Sequence, residues 1–390
     1  MASSRAIRYR RSPHIVFYWS GRTLVLQNYA TRTRVAGSPI VCEILDYLND
    51  WRTAGQLFAF KPLVNPRLLQ VLLDKLVKTS YVEREDRAAR GGDVAMTAWR
   101  EWNPAAGFFH NSTKDLRYAG LRTIERVTRE RARVTPMPPS VKRYAGAPRV
   151  TLPPAQTGGE FPRVLLERRT WRRFARAPVD VQSLSTLLHL TAGVQSWVIG
   201  PADQKVALKT SPSGGARQPI ELYVVALNVQ GLRKGLYHYA ADRHALERLP
   251  GRVDARDVQR YLPQQWWYKG ASAVIFFTAV FGRVQWRYAH ARAYRTVLIE
   301  AGHFCQTFCL TATWLGLAPF CSMALADSEI ERDLGIDGIG ESVLYAAGVG
   351  TRPRGIAWKP PAAHRGHPPT LEQEEELKVP GLIISRRHRR

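Results

Sequence analysis

The sequence predicts an α+β protein in which a long buried helix organises the larger of two folded regions. The helix is indicated by apolar residues at three- and four-residue intervals, namely Val297, Ala301, Phe304, Phe308, Ala312 and Leu315. Because apolar residues also fill its other faces, the helix should lie in a core or a subunit interface. Helices and β-type runs follow one another without strict alternation, which favours an α+β fold over a doubly wound sheet.

Composition describes a folded, non-membrane chain. Of 390 residues, 45% are hydrophobic and 23% are charged. Glu300, His303 and Gln306 interrupt the apolar helix, so a transmembrane span is the less favoured interpretation. The first residues contain no apolar run, and the four cysteines lack paired metal-finger spacing. A reducing cytoplasm is therefore expected, with Cys305 and Cys309 as small core residues.

The net charge of +25 has three possible meanings: a nucleic-acid binder, a receptor for acidic peptide or phosphate, or an arginine-rich background with no partner. Nucleic-acid modules gather their charge on a recognisable motif, whereas these arginines are scattered along the chain. The background interpretation is favoured first and the acidic-partner interpretation second.

Residues 1–90 are predicted to form a small winged-helix-like domain. The expected elements are a hairpin of strands 14–18 and 23–27, helices beginning at Pro39, Thr53 and Pro66, and a strand at 81–85. Domains of this kind bind DNA or peptides, and the fold alone does not decide between them.

A helical connector with a proline-rich linker is predicted at 91–160, a second domain at 161–361 and a charged tail at 362–390. The second domain is expected to contain helices at 162–171 and 181–194, strands at 220–227, 236–249 and 271–281, the long helix, a short helix at 327–335 and a last strand at 341–350.

Three segments of the second domain are candidates for holding an anionic ligand. Arg168, Thr170 and Arg172 lie at alternate positions near a helix end, where guanidinium groups could grip a phosphate, although a solvated arginine face explains them equally well. The loop 211–215 can bring bare backbone amides against a planar or anionic ligand, although such a loop is more often only a turn. A glycine-arginine unit at 348–354 follows a strand. Together the three are compatible with one phosphorylated aromatic cofactor.

Motifs for other chemistry are missing from the sequence. No dinucleotide-binding glycine pattern precedes a helix, and no P-loop, zinc-protease or serine-nucleophile motif occurs. Glu300 and His303 could form a proton relay, but a satisfied core histidine is the commoner explanation. Cys305, Cys309 and His303 lack a fourth ligand, so no metal site is predicted.

Several longer runs resemble one family. These are ERRTWRRF from Glu167, PSGGARQPIELYVV from Pro212 with the following GLYHY, WRYAHARAYRTVLIEAGHFCQ from Trp286, and VLYAAGVGTRP from Val343. They resemble the SagB-type dehydrogenases, FMN-dependent members of the nitroreductase superfamily that oxidise thiazoline and oxazoline rings in peptides to thiazoles and oxazoles. The resemblance covers about 161–361, and the amino-terminal part resembles the winged-helix, leader-peptide-binding type of domain.

The resemblance implies a nitroreductase-like homodimer with one FMN at each subunit interface and the long helix as the dimer spine. It places Arg168, Thr170, Arg172, Arg352 and Arg354 toward the ribityl phosphate, Ser213, Gly214 and Gly215 along the isoalloxazine ring, and Ser322 on the other side of that ring. The polar residues Glu300, His303 and Thr307 would then order the dimer interface. An azoline-containing peptide is the implied substrate, and a cyclodehydratase complex is a possible partner. Trp266, Trp267 and Tyr268 precede a strand and are expected to cover that substrate.

One departure from the family bears on the chemistry. The azoline dehydrogenases have a lysine-tyrosine pair upstream of the long helix, where this chain has Arg287 and Tyr288. Arginine keeps its proton and cannot act as a base, so proton removal would fall to Tyr288, to water or to another group. The alternatives are that both are entrance residues only, that the protein is a general NAD(P)H-dependent nitroreductase, or that it is a non-catalytic peptide or DNA binder.

Overall fold

The protein is described by a computed structural model that covers residues 6–87, 96–135, 152–199, 205–251, 253–265 and 268–354. The chain divides into two compact units, each built from several segments. The first unit takes in residues 1–114, 280–297 and 339–341, and the second takes in 115–279, 298–338 and 342–390. The predicted charged tail at 362–390 and the predicted substrate-covering residues Trp266 and Trp267 lie outside the described residues.

Strands and helices are numbered here in chain order. Residues up to 114 contain β1 Arg8–Arg11, β2 Ile15–Ser20, β3 Thr23–Asn28, β4 Thr33–Ala36, α1 Pro39–Tyr47, β5 Arg52–Thr53, α2 Ala54–Phe60, α3 Pro66–Lys78, β6 Val82–Arg84 and α4 Ala105–Thr113. Beyond them come α5 Leu121–Val134, α6 Glu160–Glu167, β7 Val179–Asp180, α7 Val181–Ala192, β8 Ser196–Ile199, β9 Lys205–Leu208, β10 Ile220–Ala226, β11 Val229–Gln230, β12 Gly235–Ala240, β13 Ala245–Arg248, α8 Ala255–Tyr261, β14 Ala273–Val280, α9 Phe281–Gln285, α10 Ala293–Trp314, β15 Leu317–Ser322, α11 Asp327–Leu334 and β16 Glu341–Thr351.

The amino-terminal part of the first unit contains the predicted elements in order, together with strands β1, β4 and β5, which the sequence analysis does not predict. β2 and β3 form an antiparallel hairpin around Gly21, which adopts a φ of 58° that glycine tolerates best. Helix α2 begins with a capping box between Thr53 and Gln56, and α3 begins at Pro66 after the Asn65 cap. The helices and sheets enclose a core that includes Leu26, Leu45, Leu73 and Tyr81. The prediction of a small amino-terminal domain of strands and helices is confirmed.

A six-stranded sheet with the order β13-β12-β10-β14-β16-β15 forms the centre of the second unit. β10 and β14 lie in the middle and pair antiparallel, with Leu222 opposite Phe277. Both are almost continuously buried, as their mostly apolar sequences predict. Mixed helices and a largely antiparallel sheet confirm the α+β prediction.

The predicted strand at 236–249 is wrong, because that segment forms a hairpin. β12 and β13 pair antiparallel, with Tyr237 opposite Arg248, and the turn between them places His244 at a φ of 48°. The sequence pattern is apolar on both sides of the turn and lacks glycine or proline there, so the break was not visible. The β8–β9 hairpin and β15 were also not predicted.

Helix α10 buries one face and exposes another. Val297, Phe304 and Phe308 are fully buried, as their spacing predicts. On the opposite side Ile299 is 58% exposed and Trp314 is 45% exposed. None of the helices in the described parts of the chain is long and apolar enough to cross a membrane.

The close contact of β15 and β16 depends on a glycine. A Cβ at Gly348 would lie 2.2 Å from Cε1 of Phe320 and 3.1 Å from the backbone carbonyl oxygen of Ala273. We therefore expect Gly348→Ala to lower the free energy of unfolding by about 1–3 kcal/mol through overpacking, measured by urea unfolding. The control is Gly282→Ala, where an added methyl group meets no atom within 4 Å. Equal stability of the two variants would contradict the packing described.

Candidate functional site

The predicted arginine cluster follows directly after helix α6, which ends at Glu167. Two backbone hydrogen bonds tie the next residues to the sheet. The amide of Trp171 donates to the Pro319 carbonyl on β15 at 2.8 Å, and the amide of Ala175 donates to the Thr351 carbonyl on β16 at 2.9 Å. Arg168, Thr170 and Arg172 are all partly buried rather than fully solvated. The segment is therefore held in place against β15 and β16 by its backbone.

Arg352 joins this segment from a point far along the chain. Its guanidinium lies over the Trp171 ring, 5.6 Å from the ring centroid. Nε donates to the Leu317 carbonyl at 2.9 Å and Nη2 donates to the Thr313 carbonyl at 2.9 Å, which satisfies a backbone carbonyl at the end of α10. Burial lowers the pKa of Arg352, but a guanidinium remains charged at neutral pH. The structure thus brings together two of the predicted arginine segments. Arg354 is exposed.

The loop 211–215 is held by the polar residues of α10. The Gly214 amide donates to Oε1 of Glu300 at 2.8 Å, and the hydroxyl groups of Ser211 and Thr307 lie 3.1 Å apart. The Ser213 hydroxyl accepts from the Gln218 amide at 2.9 Å. Gly215, at a φ of 60°, leaves the loop surface without a side chain.

The expectation that Glu300, His303 and Thr307 order a dimer interface stays a prediction, and within one chain two of these residues contact the glycine loop. Glu300 is only 1% exposed, and Thr307 bonds to the loop of its own chain, whereas His303 is exposed. Burial raises the pKa of the Glu300 carboxyl group, and the Gly214 amide opposes this shift. Its Oε2 atom is buried without a hydrogen-bond partner among the described residues.

Ser322, predicted to approach the cofactor ring, ends strand β15. Its hydroxyl donates to Oε1 of Gln265 and accepts from the Ala324 amide at 3.1 Å. Its contacts therefore orient the hydroxyl within the turn that follows β15.

Arg287 and Tyr288 belong to the first unit and follow helix α9. The Arg287 guanidinium lies 5.8 Å from the centroid of the Tyr288 ring. The Tyr288 carbonyl accepts two hydrogen bonds, from the His290 amide at 2.9 Å and from the indole nitrogen of Trp102 at 3.1 Å. Trp102 is fully buried, so it anchors the backbone that carries the tyrosine. Sequence reasoning missed this anchor because the two residues are 186 positions apart.

The second unit therefore offers fixed positive charge at one end of α10 and a glycine loop near the other end. Guanidinium groups suit a phosphate, and a loop without side chains suits a flat ring. These features define a class of site for a phosphorylated, planar ligand.

Comparison with known proteins agrees with this class. Residues 165–351 match the model of the nitroreductase family. A protein of Methanocaldococcus jannaschii whose name describes it as a nitroreductase is 32% identical over 173 residues, which is 44% of this chain and 83% of that protein. The trifolitoxin-processing protein TfxB of Rhizobium leguminosarum bv. trifolii is also 32% identical over 173 residues, but these are 43% of this chain and only 46% of TfxB.

Solved structures of similar proteins were also found. The Escherichia coli microcin synthetase McbBCD complex, with truncated pro-MccB17 bound, contains a chain that is 18% identical, with 76% of this chain and 97% of that chain covered at a TM-score of 0.40. A nitroreductase from Desulfovibrio desulfuricans, solved in complex with FMN, is 16% identical, with 54% of this chain and all of that chain covered at a TM-score of 0.35.

The chain belongs to the nitroreductase family, as its identity to the M. jannaschii relative over 83% of that protein shows. The prediction of an oxidoreductase of the nitroreductase superfamily is confirmed.

Replacing Glu300 tests the support of the loop. A raised carboxyl pKa means that the folded protein binds this proton more tightly than the unfolded chain, so ionisation above the ordinary value of 4.5 costs stability. Glu300→Gln keeps an acceptor for the Gly214 amide without that cost. We expect the Gln variant to gain stability relative to the wild type as pH rises above 4.5, measured by urea unfolding across the pH range. Glu300→Ala should lose about 1–3 kcal/mol, because the Gly214 amide loses its partner. If the wild type became more stable relative to the Gln variant as the pH rises, that result would contradict this account.

Proposed function

We propose that the protein is an FMN-dependent dehydrogenase of the SagB type, which oxidises thiazoline or oxazoline rings in a peptide to thiazoles or oxazoles. The observation that carries this proposal is the meeting of the Arg168–Arg172 segment with Arg352, within residues that match the nitroreductase family. The two segments come from opposite ends of the family region, and Arg352 contacts the first of them at Trp171. A surface arginine face would not need such an arrangement.

The residues fit FMN by their chemistry. Arg168, Arg172 and Arg352 would hold the phosphate, with the Thr170 hydroxyl as a further donor and Arg354 at the rim. Ser213, Gly214 and Gly215 would lie along the ring system, and Ser322 would approach its other side. Arg352 uses Nε and Nη2 on backbone carbonyls, which leaves further N–H groups of its guanidinium for an anion.

FMN, when bound, would supply the acceptor for a hydride from the ring carbon of the substrate. The protein must then orient the azoline ring and take up one proton. We assign proton removal to Tyr288 as its phenolate, whose Oη would accept the proton and become the neutral phenol, with the charge of Arg287 stabilising the phenolate before the transfer. The hydrogen bonds to the Tyr288 carbonyl fix the position of the residue without occupying its hydroxyl. Tyr268, expected to cover the substrate, is instead a core residue, because it is 1% exposed and its hydroxyl donates to the Ala255 carbonyl at 2.6 Å.

Two features support a homodimer. The exposed face of α10 carries Ile299 and Trp314, large apolar side chains that a partner could cover. Glu300 and Thr313, which hold the glycine loop and Arg352 respectively, are about 20 Å apart along the helix axis at a rise of about 1.5 Å per residue. That distance favours an FMN held by the arginines of one chain and the glycine loop of the other.

The resemblance to TfxB supports a peptide as the substrate, since that protein is named for processing trifolitoxin. An azoline ring must first be made in the peptide, so a cyclodehydratase is the partner that the proposal requires. Cys42, Cys305, Cys309 and Cys321 are all free thiols, in keeping with a reducing cytoplasm.

A second candidate function is a general NAD(P)H-dependent nitroreductase. It is favoured by the similarity to the M. jannaschii protein and by Arg287 in the place of the family's lysine. Steady turnover of NADPH with a nitroarene, together with no action on a synthetic thiazoline peptide, would select it.

Loss of one phosphate ligand should weaken FMN binding. We expect Arg168→Ala to raise the Kd for FMN about tenfold or more, because one charge-assisted contact is removed, measured by quenching of FMN fluorescence. The matched control is Arg163→Ala, five residues earlier on α6, whose guanidinium pairs with Glu167 at the surface. An equal Kd for both variants would remove Arg168 from the phosphate site.

Tyr288 should be needed for turnover but not for FMN binding. We expect Tyr288→Phe to lower kcat for oxidation of a synthetic thiazoline peptide roughly 100-fold or more, while FMN occupancy stays unchanged. Mass spectrometry follows the loss of two hydrogens that converts a thiazoline into a thiazole.

Arg287→Lys is the companion variant, since it restores the family's pair and should retain activity. Full activity of Tyr288→Phe would show that the proton leaves by another route.

A further inference from the structure

Three cysteine side chains meet in the second unit, and the proposed flavin chemistry uses none of them. The Sγ atoms of Cys305, Cys309 and Cys321 all lie within 4.8 Å of one another. Cys305 and Cys309 are one turn apart on α10, and Cys321 projects from β15. Two rigid elements therefore hold three thiol groups in one small space.

This spacing is close to that of a metal centre. Metal–thiolate bonds of about 2.3 Å place sulfur atoms roughly 4 Å apart around a single ion, so the observed separations need only a small contraction. Ligands four positions apart on a helix point to the same side, as a shared ion requires. The third ligand comes from a strand whose register against β16 is fixed from Leu317 to Ser322.

The surroundings suit an ion bound by thiolates. Oη of Tyr345 donates to Sγ of Cys321 at 3.5 Å, a polar contact of the kind that orients metal ligands. The positive charge of Arg168 acts on both Cys309 and Cys321, which offsets the negative charge of thiolates. Cys305 is 3% exposed and Cys309 is 4% exposed. Cys321 is only partly buried, so an ion would enter on its side.

The number and type of ligands select the ion. Three sulfur atoms exclude Mg²⁺ and Ca²⁺, which need oxygen ligands. Zn²⁺ takes four protein ligands in structural sites, and the described histidines and carboxylates add no fourth ligand to this cluster. Cu(I) is soft, prefers thiolates and accepts three of them in a plane.

We propose that Cys305, Cys309 and Cys321 form a three-thiolate binding site for Cu(I). No metal site is predicted from the sequence, because only the candidate ligands Cys305, Cys309 and His303 lie close together along the chain. His303 is exposed on another side of α10, and the missing ligand, Cys321, comes from a strand that the sequence did not reveal.

The test is an anaerobic titration of the full-length, reduced protein with Cu(I) in the presence of bicinchoninate, a coloured competitor. We expect the protein to withdraw about one equivalent of Cu(I) per chain. Cys321→Ser should lose this binding, whereas Cys42→Ser should retain it, because Cys42 lies on α1 in the first unit. No withdrawal by the wild type, or equal withdrawal by both variants, would overturn the proposal.

X-ray absorption of the copper-loaded wild type is an independent measurement, since a variant that fails to fold would also fail to bind. Three sulfur neighbours around copper support the site. A nitrogen- or oxygen-dominated shell contradicts it, as does retention of Zn²⁺ in preference to Cu(I).

Discussion

A part-buried hydrogen bond from the Gly214 amide to the side chain of Glu300 connects the long helix α10 with the loop before strand β10. Burying a carboxyl group is costly unless a donor meets it, and here the donor is a backbone amide of the loop that carries the predicted cofactor residues. The loop can therefore hold its glycine surface in one position. A neighbouring contact between Ser211 and Thr307 fixes the same loop at its start.

The end of the same helix organises the other half of the site. The guanidinium of Arg352 donates a hydrogen bond to the Thr313 carbonyl and also lies over the Trp171 ring. This one side chain therefore links the end of the helix, the last strand and the arginine segment. Helix α10 therefore holds the Arg352 guanidinium at one end and the glycine loop 211–215 near the other. The proposed flavin chemistry depends on both. In the first unit, the buried Trp102 donates a hydrogen bond to the Tyr288 carbonyl and so fixes the backbone at Tyr288. The buried Glu300 fixes the backbone of the glycine loop in a similar way.

Periodicity and turn residues were enough to predict most elements of this fold. The apolar run of α10 has one dominant spacing, and Ser38 and Pro39 mark a helix start that the structure confirms. The turn at 242–244 is not predicted because it contains neither glycine nor proline. Long-range contacts could not be predicted from the sequence for a different reason. The bond between Glu300 and Gly214 and the approach of Cys321 to α10 depend on how strands stack, and neither has a local pattern. The cofactor residues came from a family resemblance, and their roles stay predictions.

The most direct test of the central claim is a crystal structure of the protein with FMN. The account predicts a homodimer in which the phosphate contacts Arg168, Arg172 and Arg352, and the ring system lies against Ser213 to Gly215 of a loop still bonded to Glu300. An FMN bound away from these arginines, or a loop detached from Glu300 when the ring is in place, would contradict it.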